Sequence, residues 1–200
     1  TAYERFDRHL EKLRQRSAEE RIQYLSICSP NYLHDAHIRT ALRCGADAIC
    51  EKPLVLNPWN LDLLKELEGK TGKRIWNILQ LRVHPSLIPL KKILTSSPGP
   101  HQVQLTYITA RGPWYSRSWK GAVEKSGGIA TNIGIHLFDM LIWLFGAVDK
   151  LEVHAIDDRT CSGALTLEKA QVKWFLSTNE AWIPEDHLAK GHRSYRSIEI

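Results

Sequence analysis

The sequence has little that would tie it to a membrane, an export route or a disulfide scaffold. No apolar run reaches the roughly 18 residues of a bilayer span. The longest, Leu137–Phe145, is broken by Asp139 and reads as a buried helix. The opening Thr1-Ala2-Tyr3-Glu4-Arg5 carries charge from the start and has no apolar targeting core, which points to a cytoplasmic protein and away from a membrane partner. Cysteine is sparse: Cys28, Cys44, Cys50 and Cys161 are irregularly spaced with no Cys-x-x-Cys, so reduced thiols are expected. His34 and His37 lie three apart on a predicted helix, but no further ligands stand at metal-site spacing, and no metal is expected.

What is present is an ordinary globular composition. Of 200 residues, 43% are hydrophobic and 24% charged, enough for one large core or two small ones. The net charge of +5 fits an anionic small molecule or a nucleic acid equally well.

Residues 5–20, with Phe6, Leu10 and Leu13 on one face, predict an amphipathic helix. Short apolar runs at Tyr24–Cys28, Ala48–Cys50 and Arg74–Leu81 alternate with predicted helices at His34–Gly45 and from Asn57-Pro58 to Glu68. Strand, helix, strand, helix, strand is the pattern of a doubly wound parallel sheet. Beyond a boundary placed near residue 82, the segments are a helix from His84-Pro85 to Leu94, a strand at Val103–Thr109 and a long helix at Ile129–Phe145. Four strands at Leu151–Ile156, Gly163–Thr166, Gln171–Ser177 and Ser194–Ile200 follow. The fold class is thus α/β: a partial Rossmann domain over residues 1–82, then an α+β domain over 83–200 with a large, mainly antiparallel sheet. A dinucleotide fold normally starts with a strand and a Gly-x-Gly-x-x-Gly turn. This sequence has none and opens on a helix, so it reads as a fragment truncated at both ends that should bind a dinucleotide poorly on its own.

Two constellations bear chemistry. Ser29-Pro30-Asn31 and Glu51-Lys52-Pro53 each follow a predicted parallel strand, where open α/β sheets bind ligands. Pro53 biases Lys52 toward extended backbone. An ammonium beside an oxidised nicotinamide has a like-charge neighbour that lowers its pKa, which suits it to accept a hydroxyl proton. In the second constellation, Asn132, His136 and Asp139 share one face of the predicted long helix, with Asp139 placed to orient the imidazole and Gly134 leaving room for close approach. Taken singly, Lys52 is also a plain surface lysine and His136 a structural histidine.

Glu-Lys-Pro after a strand, followed some eighty residues later by Gly127-Gly128-x-x-x-Asn132-x-Gly134-x-His136-x-x-Asp139, resembles the Gfo/Idh/MocA oxidoreductase family. Within it, Tyr24–His34, Ile49–Val55, Asn77–Arg82, Leu105–Tyr115 and Ser118–Gly121 resemble the UDP-N-acetylglucosaminuronate 3-dehydrogenases of bacterial lipopolysaccharide O-antigen synthesis. The resemblance implies a catalytic pair, Lys52 and His136. It implies that Ser29, Pro30, Asn31, His34, Glu51, Lys52 and Gln80 line the cofactor. That cofactor is NAD by likeness; NADP stays open, because the segment that reads the adenosine ribose would precede Thr1. It also implies a homo-oligomer, a tetramer by family likeness. Where many family members carry Asp, this chain has Asn132, an amide that reads as a substrate contact.

Arg111, Trp114, Tyr115, Arg117, Trp119 and Lys120 cluster within ten residues. Cations interleaved with aromatics suit the diphosphate and uronate of one nucleotide sugar, or a single-stranded nucleic acid; the resemblance favours the UDP-sugar acid and no nucleic acid. The substrate set is then Arg82, Arg111, Trp114, Tyr115, Trp119, Lys120, Asn132, His136 and Asp139. A catalytically silent sensor of cofactor or sugar nucleotide, and another sugar dehydrogenase of the family, remain alternatives.

Overall fold

The computed structural model describes residues 5–200; the charged, signal-free reading of Thr1–Glu4 lies outside them. The chain divides into two compact units, the first ending at Ile78 and the second beginning at Leu79.

The first unit opens on α1 (Phe6–Arg14), which ends six residues before the periodic pattern does. Only Leu10 is buried on it. After Leu13 the sequence offers no further apolar residue to that face, and the chain passes into a 3-10 turn at Ala18–Glu20. Three short strands, β1 (Tyr24–Ile27), β2 (Asp47–Cys50) and β3 (Ile75–Asn77), form a parallel sheet in the order β1-β2-β3. Ile27 aligns with Cys50 and Cys50 with Asn77, so all three strands end level. The helices between them are α2 (His34–Arg43) and α3 (Trp59–Thr71). Asn57 Oδ1 accepts the Trp59 N–H at 3.1 Å, the capping bond expected of Asn before a helix. Gly72 ends α3 in the left-handed region, at φ 68°, with its N–H on the Glu68 carbonyl. Ile27, Ile38, Leu42, Ala48, Cys50 and Leu64 make the core. The third strand is much shorter than the expected Arg74–Leu81, because Gln80–Val83 curls into a 3-10 turn.

In the second unit, α4 (Leu87–Ser96) leads into β4 (His101–Thr109). A run of short helices follows: α5 (Pro113–Arg117), α6 (Val123–Ser126) and α7 (Gly128–Asn132), then α8 (Ile135–Phe145). The remaining strands are β5 (Val148–Ile156), β6 (Thr160–Leu167), β7 (Ala170–Ser177) and, after the short α9 (Glu185–Ala189), β8 (Ser194–Glu199). The sheet order is β5-β6-β7-β4-β8, antiparallel except where β4 runs parallel to β7. Alternation on β6 and β7 turns Cys161, Leu165, Leu167, Val172, Trp174 and Leu176 inward, against Leu137, Met140, Leu141, Leu144 and Phe145 of α8. Each fully buried side chain of that size contributes about 1.5–3 kcal/mol. Edge strand β5 is exposed along its whole length.

The expected single helix Ile129–Phe145 is two helices. Thr131, Asn132 and Gly134 are weak helix formers in sequence. The Gly134 N–H bonds the Ile129 carbonyl five residues back, and the ladder restarts when Leu137 N–H bonds the Gly134 carbonyl. Asn132 therefore stands on α7, while His136 and Asp139 stand on α8. The three do not share one helical face, as the spacing predicted.

Candidate active site

In the first unit, the parallel register brings both predicted turns to the same sheet edge. Glu51 N–H closes on the Ile27 carbonyl at 3.0 Å, carrying the β1–β2 pairing past the strand ends. Asn77 Nδ2 donates to the Cys50 carbonyl at 2.9 Å from the next strand. The Glu51 carboxylate accepts the Lys52 backbone N–H at 3.2 Å, and the Lys52–Pro53 peptide is cis. Lys52 and Glu51 are half-buried, Asn31 and Pro53 buried. Ser29 Oγ lies 2.9 Å from His37 Nδ1. Burial, then the neighbouring His34, lower the His37 pKa from its ordinary value. Burial, then Glu51 and Cys28, push the Cys50 thiol up to about 12, so it is a packing group despite standing two residues from Lys52.

His34 departs from its expected place at the cofactor. Its ring is 0% exposed, with Nδ1 2.7 Å from the Pro53 carbonyl oxygen and Nε2 2.8 Å from that of Ser29. It holds the two turns from inside the unit and presents no surface to a ligand.

In the second unit, His136 lines a cavity of about 440 Å³ between α4, α8 and strands β4 and β8. Gln80, His84, Thr106, Tyr107, Met140 and Arg196 share that lining. Gln80, expected at the cofactor, thus stands with His136. The sequence reading missed His84, Tyr107 and Arg196. Tyr107 and Arg196 are cross-strand partners on β4 and β8, with the guanidinium carbon 4.6 Å from the ring centroid. Only the pairing register of two strands 89 residues apart reveals that contact, and local pattern does not carry it.

Asp139 is held from outside its own helix. Its carboxylate takes a two-pronged ion pair from Arg82, with Arg82 Nε at 2.8 Å and the second prong from Nη2. The hydrogen bond to Asp139 raises the Arg82 pKa further. Both residues, expected on substrate, are ion-paired with each other. Asn132 and Tyr115 are also joined, Asn132 Nδ2 donating to the Tyr115 hydroxyl at 3.2 Å, both side chains buried. The space at Gly134, expected for a ligand, is filled by protein: an added Cβ would meet the Ala130 carbonyl oxygen, Phe138 at 2.7 Å and Leu176 at 2.8 Å.

The aromatic and basic loop does assemble. Lys120 Nζ lies 5.5 Å from the Trp114 ring and 5.6 Å from Trp119, and Arg111 lies 5.9 Å from both Trp114 and Tyr115. Ser118 Oγ caps the turn at the Lys120 N–H, and Gly121 passes so close to Ser116 that a Cβ would sit 2.6 Å from its Cα. Cations resting on ring faces keep their N–H groups for oxyanions.

Known proteins share this organisation. Residues 3–78 match the model for the oxidoreductase family's NAD-binding Rossmann fold, and residues 99–171 the model for its C-terminal alpha/beta domain. A putative UDP-kanosamine synthase oxidoreductase subunit of Amycolatopsis mediterranei is 30% identical over 141 residues, 69% of this chain. The WlbA (WbpB) dehydrogenase of Thermus thermophilus, solved with NAD and alpha-ketoglutarate, is 54% identical with a TM-score of 0.93 over 99% of this chain. Its complex with NAD and UDP-GlcNAcA superposes with a TM-score of 0.94 at 53% identity. The chain spans 39% of the Amycolatopsis protein and 63% of the first Thermus structure.

Proposed function

The chain belongs to the Gfo/Idh/MocA oxidoreductase family, and from that premise we propose that its protein oxidises the 3-hydroxyl of UDP-2-acetamido-2-deoxyglucuronic acid with NAD. The observation that carries this reading is the likeness, at 53% identity over the whole chain, to a dehydrogenase solved with NAD and UDP-GlcNAcA.

The first unit's own residues fit the nicotinamide half of NAD. Polar groups of Ser29, Asn31 and Glu51 gather at the carboxyl ends of parallel strands β1 and β2, where such sheets take their ligands. When bound, NAD accepts the hydride from the sugar carbon. Lys52 and His136 are the proposed catalytic pair, one to take the hydroxyl proton and the other to polarise or orient that hydroxyl. Arg111 and Lys120, backed by Trp114 and Trp119, are the proposed contacts for the diphosphate or the uronate. The +5 charge suits so anionic a substrate.

We place the reaction in cytoplasmic synthesis of lipopolysaccharide O-antigen sugars, in a homo-oligomer, with a tetramer favoured. An exposed apolar edge at Val148, Leu151, Val153 and Ile156 supports assembly through the second unit's sheet. The test is to incubate the full-length protein with UDP-GlcNAcA and NAD and follow NADH. Formation of NADH with the 3-keto sugar acid is expected. Tight NAD binding without turnover would instead mark a sensor.

A further inference from the structure

We propose that His34 is a positioning residue, one buried imidazole whose two ring nitrogens bridge the Ser29-Pro30-Asn31 turn and the Glu51-Lys52-Pro53 turn. Three observations carry it. The ring is 0% exposed, so no water competes for its nitrogens. Nδ1 lies 2.7 Å from the Pro53 oxygen and Nε2 lies 2.8 Å from the Ser29 oxygen, both within strong hydrogen-bond range. Both partners are main-chain carbonyls, which accept and never donate.

The location gives the clamp its purpose. Ser29 and Pro53 are 24 residues apart in sequence and follow different strands, so the ladder itself joins them only through the Glu51 N–H to Ile27 bond. Pro53 adjoins Lys52, and its carbonyl has no ladder partner among the described residues. His34 opens α2, whose Ile38, Ala41 and Leu42 are rooted in the core, so the clamp is anchored in the stiffest part of the unit. The flanking His37 uses its Nδ1 on Ser29 Oγ and gives the same turn a second hold.

The proposal rests on Lys52 being the working lysine, and its test separates the two. In full-length protein labelled with nitrogen-15 histidine, His34 is expected to show a ring N–H that exchanges slowly with solvent, a signal lost in His34→Gln. A His34 ring N–H that exchanges as fast as that of a solvent-exposed histidine would overturn the clamp, whatever the enzyme does. In the second arm, His34→Gln is expected to lower kcat about 10²-fold, the usual penalty of an ångström-scale misplacement, with the KM for the sugar nucleotide unchanged. The Lys52 and Asn31 amide signals should move, while those of β4 and β8 stay. Wild-type kcat with unmoved amides would overturn it. Should His34→Gln fail to fold, the wild-type spectrum still decides. If the wild-type protein makes no NADH, the assigned reaction fails and the spectrum again judges the clamp alone.

Discussion

The two units place their chemistry by different means. In the first, the working turns hang off the ends of three short strands over a modest core, and side chains bonded to backbone carbonyls hold them: His34 to Ser29 and Pro53, Asn77 to Cys50. In the second, His136 rides on a helix that packs its apolar residues into the larger core, and the Arg82–Asp139 pair braces the same helix. Point bonds fix the lysine; packing fixes the histidine. A local polar substitution should therefore disturb the first site, and a core substitution the second.

The sharpest test of that contrast is chemical. Lys52→Ala in the full-length enzyme is expected to lower kcat by about 10²–10⁴-fold, the range for a lost acid–base group, without altering the thermal midpoint. Core truncation should act on stability instead. Leu141→Ala and Leu64→Ala remove side chains exposed by 0% and 1% and are each expected to cost about 2–5 kcal/mol. Hydrogen exchange would show whether each loss stays within its own unit. Protection lost equally in both units after either change would break the comparison.

A smaller effect is expected from Arg82→Ala, which strands the Asp139 carboxylate, only 11% exposed. Because the guanidinium is 47% exposed and partly screened, a loss of about 1–2 kcal/mol is expected by denaturant titration.

The smallest effect is a pH slope. The folded His37 pKa lies below its ordinary 6.5, chiefly from burial. Between the two values the unfolded chain holds a proton that the folded chain lacks, so stability is fullest above about pH 6.5 and falls as pH drops toward the folded value. The first unit's urea midpoint should be lower at about pH 5.5 than at about pH 7.5, and His37→Gln should flatten that difference.

The fold was legible wherever one period ran without interruption. The alternation through β6 and β7 and the run of α8 stand where the sequence places them. The break between α7 and α8 was not, because heptad-like spacing continues across Thr131–Gly134 while the backbone does not. In the site, Lys52, His136 and the Arg111–Lys120 cluster were legible as residue types in local patterns. Their partners were not. His34 reads as a turn-proximal ligand until Pro53, 19 residues away, is seen against its ring. Asp139 reads as a residue of its own helix face until Arg82, 57 residues away, is seen on its carboxylate. Sequence spacing ranks neighbours on one element and says nothing of competitors from another.

The sheet order of the second unit has a consequence for synthesis. Strand β4 lies between β7 and β8, and its partner residues come late: Gln102 faces Gln171, 69 residues on, and Leu105 faces Ile198. At ordinary translation rates β4 leaves the ribosome several seconds, about 3–14 s, before β7 exists to meet it. Its two backbone edges, paired by β7 and β8 in the finished protein, stay open for that interval. The nascent chain is then at its most adhesive with both flanks of β4 open, and chaperone dependence should fall on this strand before any other.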